Sequence, residues 1–548
     1  MLSLSVGNQP LDISDDIAIT LKFMSPLFND IGDYSYPFKL PLTSRNKMVL
    51  NWKHKVENAS DKYEFFRTSV LWSGIELFAG SLRIQRAGQY YEAVLYVDKG
   101  SFNWESGAIK LHEMNLGVQL IPNTTDPLYF YNSTLFKVYP QTNFAFPYIE
   151  NEMFLGTSQS DPELGCYNYN YQYAPLGLRP YTDHGDPSIL VPFLFLRFLL
   201  QRVFSLMGYT LSDQFFTKSN ELANLLIYNS WNLDENQING TLTPGAIYYQ
   251  HHVPRVMVNV FIHGLEKYFN CRFFVNDLRK TITIRGAADI LKSPQVIPFS
   301  SEVTEMTVLV ANKITGVSLT MKPDEGDSWF MERIQWEQED LVEWTGTVNA
   351  FSDLSIPPIS NIAMIGDVYY VIEDDKYYTA TMSSNGYTLI WTQLYQAIVT
   401  STIFNYRYQG PNLLKIETEF SNLSEDPPGT IPGCWNLKTD WKKISPRLVF
   451  GVIGPYGIKA HSSDSVFSLN FNGPHGIFNQ FYKAWFDWII DTRTNVEFKK
   501  QLSFMDIRDL DFMAKHEIDG NKYLLSSVSV SLTKTTIKPA IINAYSCF

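Results

Sequence analysis

Short sequence signatures of catalysis and cofactor binding are missing from this chain of 548 residues. GxSxG, the Walker phosphate loop, GxGxxG, HExxH and CxxC do not occur, so common nucleophilic, nucleotide and zinc-protease chemistries have no local support. The adjacent pair His251 and His252 would point to opposite faces of a strand and would not share a metal. Asp509 and Asp511 suit turn capping better than a glycosidase acid pair. We therefore predict a non-enzyme with no catalytic residue, cofactor or metal site.

Charged residues are also scarce, at 18 %, and the net charge is −12. An acidic chain is not generally attracted to nucleic acid or to anionic membranes. The four cysteines, Cys166, Cys271, Cys434 and Cys547, lie far apart and match no metal-ligand spacing. Free thiols are therefore expected, with one or two disulfides as the alternative. The N-terminus has neither a basic region nor a continuous apolar core, so no signal peptide is predicted.

Aromatic residues, in contrast, are abundant at 15 %, with 32 Tyr and 37 Phe. This enrichment, with many turn-forming residues, predicts a mainly β protein with a few helices, an α+β fold. Apolar and polar residues alternate at Ile17–Phe23, in a meander from Ser69 to Val97 and in another from Val368 to Gln393. Strands are also expected around Gln501–Phe504, and Asp519-Gly520 predicts a hairpin turn.

The stretch from Val253 to Arg285 predicts a helix followed by a hairpin. Apolar residues recur at helical spacing as far as Phe269, and beyond it they alternate as in paired strands. Val260 and Leu265 are expected to face the hairpin, and Glu266 is expected to lie on the exposed side of the helix. The helix would then hold the hairpin in register.

A similar unit precedes it in the chain. Leu190–Met207 predicts a helix that stops at Gly208, and Tyr209–Leu211 has an extended pattern. Each of its two arginines would cost about 2.5–3.5 kcal/mol in a bilayer, which favours a buried helix over a membrane span. Two helix–strand units indicate two related subdomains, although such units are common in any mixed protein. A further amphipathic helix is predicted at Ile477–Ile490.

Both ends of the chain and its middle resemble one protein family. The run Ser-Tyr-Pro-Phe-x-Leu-Pro-x-Thr at Ser35–Thr43, followed by Asn46, lies in a segment 12–50 that resembles the opening of tail-tip and baseplate hub proteins of tailed bacteriophages, particularly those infecting Bacteroidetes. The segment 502–532, with the short Ile/Ala-rich tail after it, is similar to the closing strands of these proteins. The helix and hairpin at Val256–Ile284 also fit.

The resemblance implies two tube-like β-barrel hub domains, each with a packed helix, and inserted β- and loop-rich modules. The expected domains are 1–106, the first hub barrel; 107–187, a loop-rich insertion; 188–235, a helix-rich segment closing the first barrel; 236–320, the second hub barrel with its helix and hairpin; 321–465, an inserted β-meander module; and 466–548, the C-terminal helix and strands completing the second barrel.

The resemblance also implies a structural virion protein, the hub that connects the tail tube to the distal tip and lines the channel for genome ejection. Its expected partners are two further copies in a homotrimer, the tail tube and distal tail proteins, tip or fibre proteins, and double-stranded DNA in transit. It would be assembled in the host cytoplasm and located in the virion tail. Structural or assembly roles are predicted for Val260, Leu265, Tyr36, Pro37, Pro41 and Leu510.

Two other functions remain open on the sequence. The first is a carbohydrate-binding surface or adhesion protein, because Trp329, Trp336 and Trp344 are interleaved with acidic residues; an extended packing arm explains that stretch better. The second is a hub with a built-in cell-wall glycan hydrolase. The missing signal peptide disfavours the first, and the absence of an acid pair in a recognisable setting disfavours the second.

Overall fold

The computed structural model of the chain describes residues 1–58, 64–121, 130, 133–147, 149–150, 166–168, 191–228, 234–238, 241–254, 256–298, 303–309, short strands between 362 and 403, 448–454, 457–459, 469, 476–491 and 494–547. The described residues are mainly β with several helices, as predicted. Their sheets are open. The two-barrel arrangement and its domain boundaries stay predictions. The tryptophans at 329, 336 and 344 lie outside the described residues.

The strands, in chain order, are β1 Leu2–Val6, β2 Gln9–Leu11, β3 Ala18–Met24, β4 Asp33–Ser35, β5 Phe38–Pro41, β6 Phe66–Trp72, β7 Ile75–Ala87, β8 Tyr90–Val97, β9 Val118–Leu120, β10 Phe144–Ala145, β11 Ile149–Glu150, β12 Cys166–Tyr167, β13 Phe193–Leu194, β14 Thr210–Asp213, β15 Leu226–Ile227, β16 Asp234–Ile238, β17 Thr241–Tyr248, β18 Cys271–Asn276, β19 Thr281–Gly286, β20 Val296–Pro298, β21 Val303–Leu309, β22 Ile362–Ile365, β23 Val368–Val371, β24 Lys376–Ser383, β25 Gly386–Gln393, β26 Val399–Thr400, β27 Thr402–Ile403, β28 Leu448–Val449, β29 Val452–Gly454, β30 Gly457–Lys459, β31 Asn495–Lys500, β32 Lys515–Ile518, β33 Asn521–Thr533 and β34 Ala540–Ser546.

The α-helices are α1 Ser44–Val49, α2 Asp98–Ser106, α3 Leu196–Leu206, α4 Asn220–Ala223, α5 Val258–Phe269, α6 Ala287–Lys292, α7 Lys483–Asp491 and α8 Phe504–Arg508. Short 3₁₀ turns lie at Val56–Asn58, Leu111–Glu113 and Tyr249–His252, and a π-helical turn, Phe478–Tyr482, runs into α7.

A sheet of 14 strands joins the two ends of the chain. Its main path runs β2-β1-β6-β7-β8-β4-β3-β33-β34-β31-β21. In its centre β3 pairs antiparallel with β33, from Ala18 opposite Thr533 to Met24 opposite Ser527. The N-terminal and C-terminal strands are therefore neighbours in one sheet. We refer to this 14-stranded structure as the main sheet.

Alternating burial explains why this pairing holds its register. Ile19, Leu21 and Phe23 of β3 are buried beside Val528 and Val530 of β33, in one apolar cluster. Slipping by one residue would turn every one of these side chains to the opposite face. The predicted alternation at the start of the chain is thus confirmed. So are the two meanders, the first of which contains β7 as one continuous strand.

The predicted helix and hairpin are confirmed as α5, β18 and β19. The helix ends at Asn270, whose φ of 48° is the left-handed conformation that closes many helices. We call α5, β18 and β19 the helix–hairpin unit. The earlier helix α3 likewise ends before Gly208, at φ 81°, and leads into β14.

The strands of these two helix–strand units form one three-stranded sheet. β14 pairs parallel with β19, so the order is β14-β19-β18. Phe204 of α3, Leu265 of α5 and Ile284 of β19 belong to one buried cluster. Both units therefore consist of a helix followed by a strand, and the two units pack side by side.

Polar side chains of α3 make contacts within the protein. The Arg197 guanidinium lies 3.1 Å from Asp213, and Gln201 accepts a hydrogen bond from Tyr139. The rest of the helix is mostly buried. None of the helices in the described part of the chain has the length and apolar character needed to cross a membrane.

One local prediction near the C-terminus is wrong. Residues 501–504 were expected to form a strand, but Phe504 begins α8. Ser503 caps this helix, accepting a hydrogen bond from the N–H of Asp506, whose carboxylate accepts one from the N–H of Ser503 in return. This reciprocal capping box satisfies two backbone N–H groups at the start of a helix, which explains why the chain is helical here. The helix predicted at 477–490 and the turn at Asp519-Gly520 are confirmed.

Candidate functional site

The sequence run that carries the family resemblance is built around a buried asparagine. Asn46 in α1 accepts a hydrogen bond from the N–H of Asp12 at 2.8 Å and donates to the carbonyls of Asp12 and Pro41. Thr43 caps α1 and also donates to the Asp12 carboxylate. The spacing from Pro41 through Thr43 to Asn46 therefore pins the end of β5 to the chain following β2.

The candidate residues in this region do not form one site. Tyr36 is exposed, at 47 %, and its N–H donates to the Thr20 carbonyl at 2.8 Å. Pro37 is exposed beside it, and Pro41 ends β5 with its carbonyl bound to Asn46. Their assembly role stays a prediction, and the structure gives Pro41 a local bracing role as well.

The predicted orientation of the α5 helix is wrong for two of three residues. Leu265 is buried, as predicted, but Val260 is 43 % exposed and Glu266 is only 1 % exposed. Glu266 is buried because it binds a lysine of α2, which lies far from α5 in the sequence. The stripe that we expected to face solvent is therefore part of a buried contact. The assembly roles of Val260 and Leu265 stay predictions.

That contact is an ion pair between α2 and α5. Lys99 Nζ lies 2.6 Å from Glu266 Oε1, with the two side chains 3 % and 1 % exposed. Burial alone would raise the pKa of Glu266, but Lys99 and His263 lower it to about 2. Glu266 also accepts a hydrogen bond from the N–H of Phe273. This buried pair therefore links α5 to α2.

A second cluster centres on Asp277, in the turn between β18 and β19. Its fully buried carboxylate accepts hydrogen bonds from Arg67, Tyr209 and Lys280. Burial opposes its charge, but Arg67 and Lys280 hold the pKa of Asp277 below its usual range. Its own N–H donates to the Asp98 carboxylate at 2.7 Å. We call this contact of the main sheet and α2 with the helix–hairpin unit the seam.

A cavity of about 220 Å³ lies along the seam. Asp33 and Asp98 line it from the main sheet and α2, and Leu510 lines it from the chain after α8. The Asp33 carboxylate accepts from the N–H of Met24 at 2.5 Å. Leu510 is thus the one sequence-predicted candidate that the structure places at the seam cavity.

Asp30, His263 and Glu266 offer ligand atoms that all lie within 4.8 Å of one another. Such residues can bind zinc. Here, however, Glu266 Oε1 already accepts from Lys99 and from the N–H of Phe273, and its Oε2 lies 2.9 Å from His263 Nδ1. The buried ammonium group balances the carboxylate and would repel a second cation. We assign this group to the seam ion-pair network.

The carboxylates considered for glycan hydrolysis have structural contacts. Asp509 ends α8 and lies 2.6 Å from Arg279 on the surface, while Asp511 accepts a hydrogen bond from the N–H of Met513. Asp511 therefore caps the turn before β32, as the sequence indicated, whereas Asp509 is bound to the turn between β18 and β19. Cys271 and Cys547 are buried free thiols, as expected, and burial raises the pKa of Cys547 to about 11.

Sequence reasoning missed the seam residues Asp33, Asp98, Lys99 and Asp277. A signal for two of them was present, because Asp98 and Lys99 follow directly on the apolar strand pattern that ends at Val97. Charges at the end of a strand are ordinary, however. Only their tertiary contacts distinguish them: Asp98 binds Asp277 across 179 residues of sequence, and Lys99 binds Glu266 across 167.

Comparisons with known proteins gave structural neighbours only. No family model and no curated protein matches the chain. The 43 kDa tail protein of prophage MuSo2 from Shewanella oneidensis is similar at a TM-score of 0.30 and 9 % identity, over 99 % of this chain and 96 % of that one. The tail protein from Neisseria meningitidis MC58 is similar at 0.28 and 9 %, over 99 % and 95 %. The function is therefore argued from the chain's own residues.

Proposed function

We propose that this chain is a structural, non-enzymatic phage tail protein, the hub that joins the tail tube to the distal tip. Three copies would form a ring whose channel passes double-stranded DNA during genome ejection. The tail tube, distal tail proteins and tip or fibre proteins would be its neighbours in the virion, after assembly in the host cytoplasm.

One observation carries this proposal: the three stretches that resemble hub proteins meet in one body. The opening segment supplies β3, the closing segment supplies β33, and these strands pair over seven residues on each side. The helix–hairpin unit joins them through the seam, where Arg67 and Lys99 of the N-terminal part bind Asp277 and Glu266. Three distant matches that fold together support a shared architecture better than separate matches would.

The exposed edge of the main sheet supports assembly with neighbouring copies. β21 is the last strand on the path, and its Met306 and Val308 are 51 % and 54 % exposed. Their partners across the ladder, Phe498 and Val496, are buried. An edge strand with uncovered apolar side chains is a surface that proteins normally cover or pair. In a ring, a neighbouring copy would cover it.

The mass of the purified full chain in solution tests this proposal. The hub predicts three times the chain mass of 63.0 kDa by sedimentation. Met306→Lys combined with Val308→Lys should shift the mass towards that of the monomer, while Thr307→Lys on the opposite face of β21 serves as the control. A wild-type protein that stays monomeric at micromolar concentration would contradict the hub.

The non-enzymatic part of the proposal has a separate test. Peptidoglycan and capsule from a bacterial host are incubated with the protein, and released reducing ends are measured. No release is expected, because Asp509 and Asp511 are engaged in an ion pair and a turn. Release that disappears in Asp509→Ala or Asp511→Ala would establish a built-in glycan hydrolase instead.

A further inference from the structure

The seam cavity brings two acidic side chains into one partly apolar space. Asp33 comes from β4 and is only 7 % exposed, and Asp98 comes from the first turn of α2. Phe23, Phe78 and Phe274 line the same cavity. Each carboxylate accepts one backbone N–H, from Met24 and Asp277 respectively. Both acids therefore sit where an ionised carboxylate is poorly hydrated.

The charged groups around this pair come from every element at the seam. Lys99 follows Asp98 in α2 and is bound to Glu266 of α5. Arg67 of β6 and Lys280 of the hairpin turn face Asp98 but are bound to Asp277. Further groups that line the cavity are Arg279, Arg508 and Asp511. Arg67 and Lys280 are thus already paired with Asp277, and Lys99 is paired with Glu266. Arg279 is paired with Asp509.

We propose that Asp33 and Asp98 form a pH-dependent latch, which keeps the seam closed while they are protonated and loosens it when both are charged. Asp98 holds the hairpin directly, through the N–H of Asp277, so repulsion between the two acids acts on the contact between main sheet and helix–hairpin unit. This proposal does not depend on the function proposed above.

The direction of the pH dependence follows from the raised pKa values. Burial raises the pKa of Asp98 to about 7, and burial together with the charge of Asp98 holds the pKa of Asp33 well above its usual range. An acid whose pKa is raised by folding stabilises the fold at pH values below its unfolded pKa. That stabilisation is lost as the pH rises from the unfolded value through the folded one, which for Asp98 is about 7.

Amide hydrogen exchange of the full chain at pH 5.5 and pH 8.5 tests the latch, with rates corrected for intrinsic exchange. Protection of β18 and β19 should fall about tenfold or more at the higher pH. Protection of β31 and β34, which pair away from the cavity, should stay constant. The fall should disappear in Asp33→Asn combined with Asp98→Asn, because an amide oxygen keeps both backbone contacts but does not ionise.

The single variants Asp33→Asn and Asp98→Asn should each reduce the fall, which keeps the test valid if the double variant does not fold. Asp509→Asn, at an exposed ion pair with Arg279, is the matched control and should retain the wild-type fall. Equal protection of the hairpin at both pH values in the wild-type protein would overturn the latch. So would a fall that the asparagine variants share, or one that β31 and β34 show equally.

Discussion

Lys99 and Glu266 form a buried ion pair across 167 residues of sequence, with 2.6 Å between Nζ and Oε1. The pair joins the first turn of α2, directly after the N-terminal meander, to the middle of α5. Burying two charges is costly, so the pair is a specific link more than a source of stability. Removing one partner leaves the other charge buried and uncompensated.

Glu266→Ala should therefore destabilise the protein by about 3–5 kcal/mol. The reason is the Lys99 ammonium, which would remain 3 % exposed without a partner. Urea denaturation gives the free energy of unfolding for this comparison. The double change Lys99→Met with Glu266→Leu should recover part of the loss, because no charge stays buried but the N–H of Phe273 still loses its acceptor. A loss below about 0.5 kcal/mol in Glu266→Ala, the size typical of surface positions, would show that the pair is not formed.

The same pair predicts acid sensitivity. The pKa of Glu266 is about 2 in the fold against an ordinary 4.5, so its stabilisation is complete above the unfolded value and is lost as the pH falls towards 2. The difference in unfolding free energy between wild type and Glu266→Gln should be constant above about pH 5 and shrink below it. A difference that does not change down to pH 3 would contradict this assignment.

Structural features that depend on neighbouring residues could be predicted from the sequence. The turn at Asp519-Gly520 follows from residues that adopt positive φ, at 50° and 79°. The orientation of Glu266 could not be predicted this way, because neighbouring polar residues on α5 suggested a solvated face and its true partner, Lys99, is remote in sequence. The incorrect prediction of a strand at 501–504 could have been avoided, because Ser503 and Asp506 have the spacing of a capping box.

Leu265→Ala should cost about 2–5 kcal/mol through lost burial and a residual cavity. Leu265 is fully buried in the cluster that α5 shares with α3 and β19. Val260 lies on the same helix but is 43 % exposed, so Val260→Ala is the matched control and should change the unfolding free energy by about 0.5 kcal/mol or less. Chemical denaturation of both variants decides; a larger loss in Val260→Ala would mean that the helix is rotated.

Asn46→Ala should destabilise the protein by about 1–3 kcal/mol or more. The substitution leaves the Asp12 N–H and the carbonyls of Asp12 and Pro41 without the partner they have now. Ser44→Ala in the same helix changes an exposed side chain and should be nearly neutral. Melting temperatures of the two variants measure the effect. Equal melting temperatures would show that the hydrogen bonds of Asn46 to Asp12 and Pro41 do not stabilise the fold.

Part of the candidate site was visible in the sequence and part was not. The run that contains Pro41, Thr43 and Asn46 stands out in the sequence, and the structure gives it a role: Thr43 and Asn46 bind Asp12, and Asn46 also binds the Pro41 carbonyl. Asp33 and Asp277 carry no such pattern. Their environment exists only after two distant parts of the chain meet, and desolvation of a charge is not a local property of sequence.

Electron cryomicroscopy of the purified full chain tests the hub assignment most directly. We predict ring-shaped particles with threefold symmetry and a central channel, in which the β21 edge of one copy lies against a neighbouring copy. Particles the size of a single chain of 63.0 kDa, or an assembly without a channel, would contradict it.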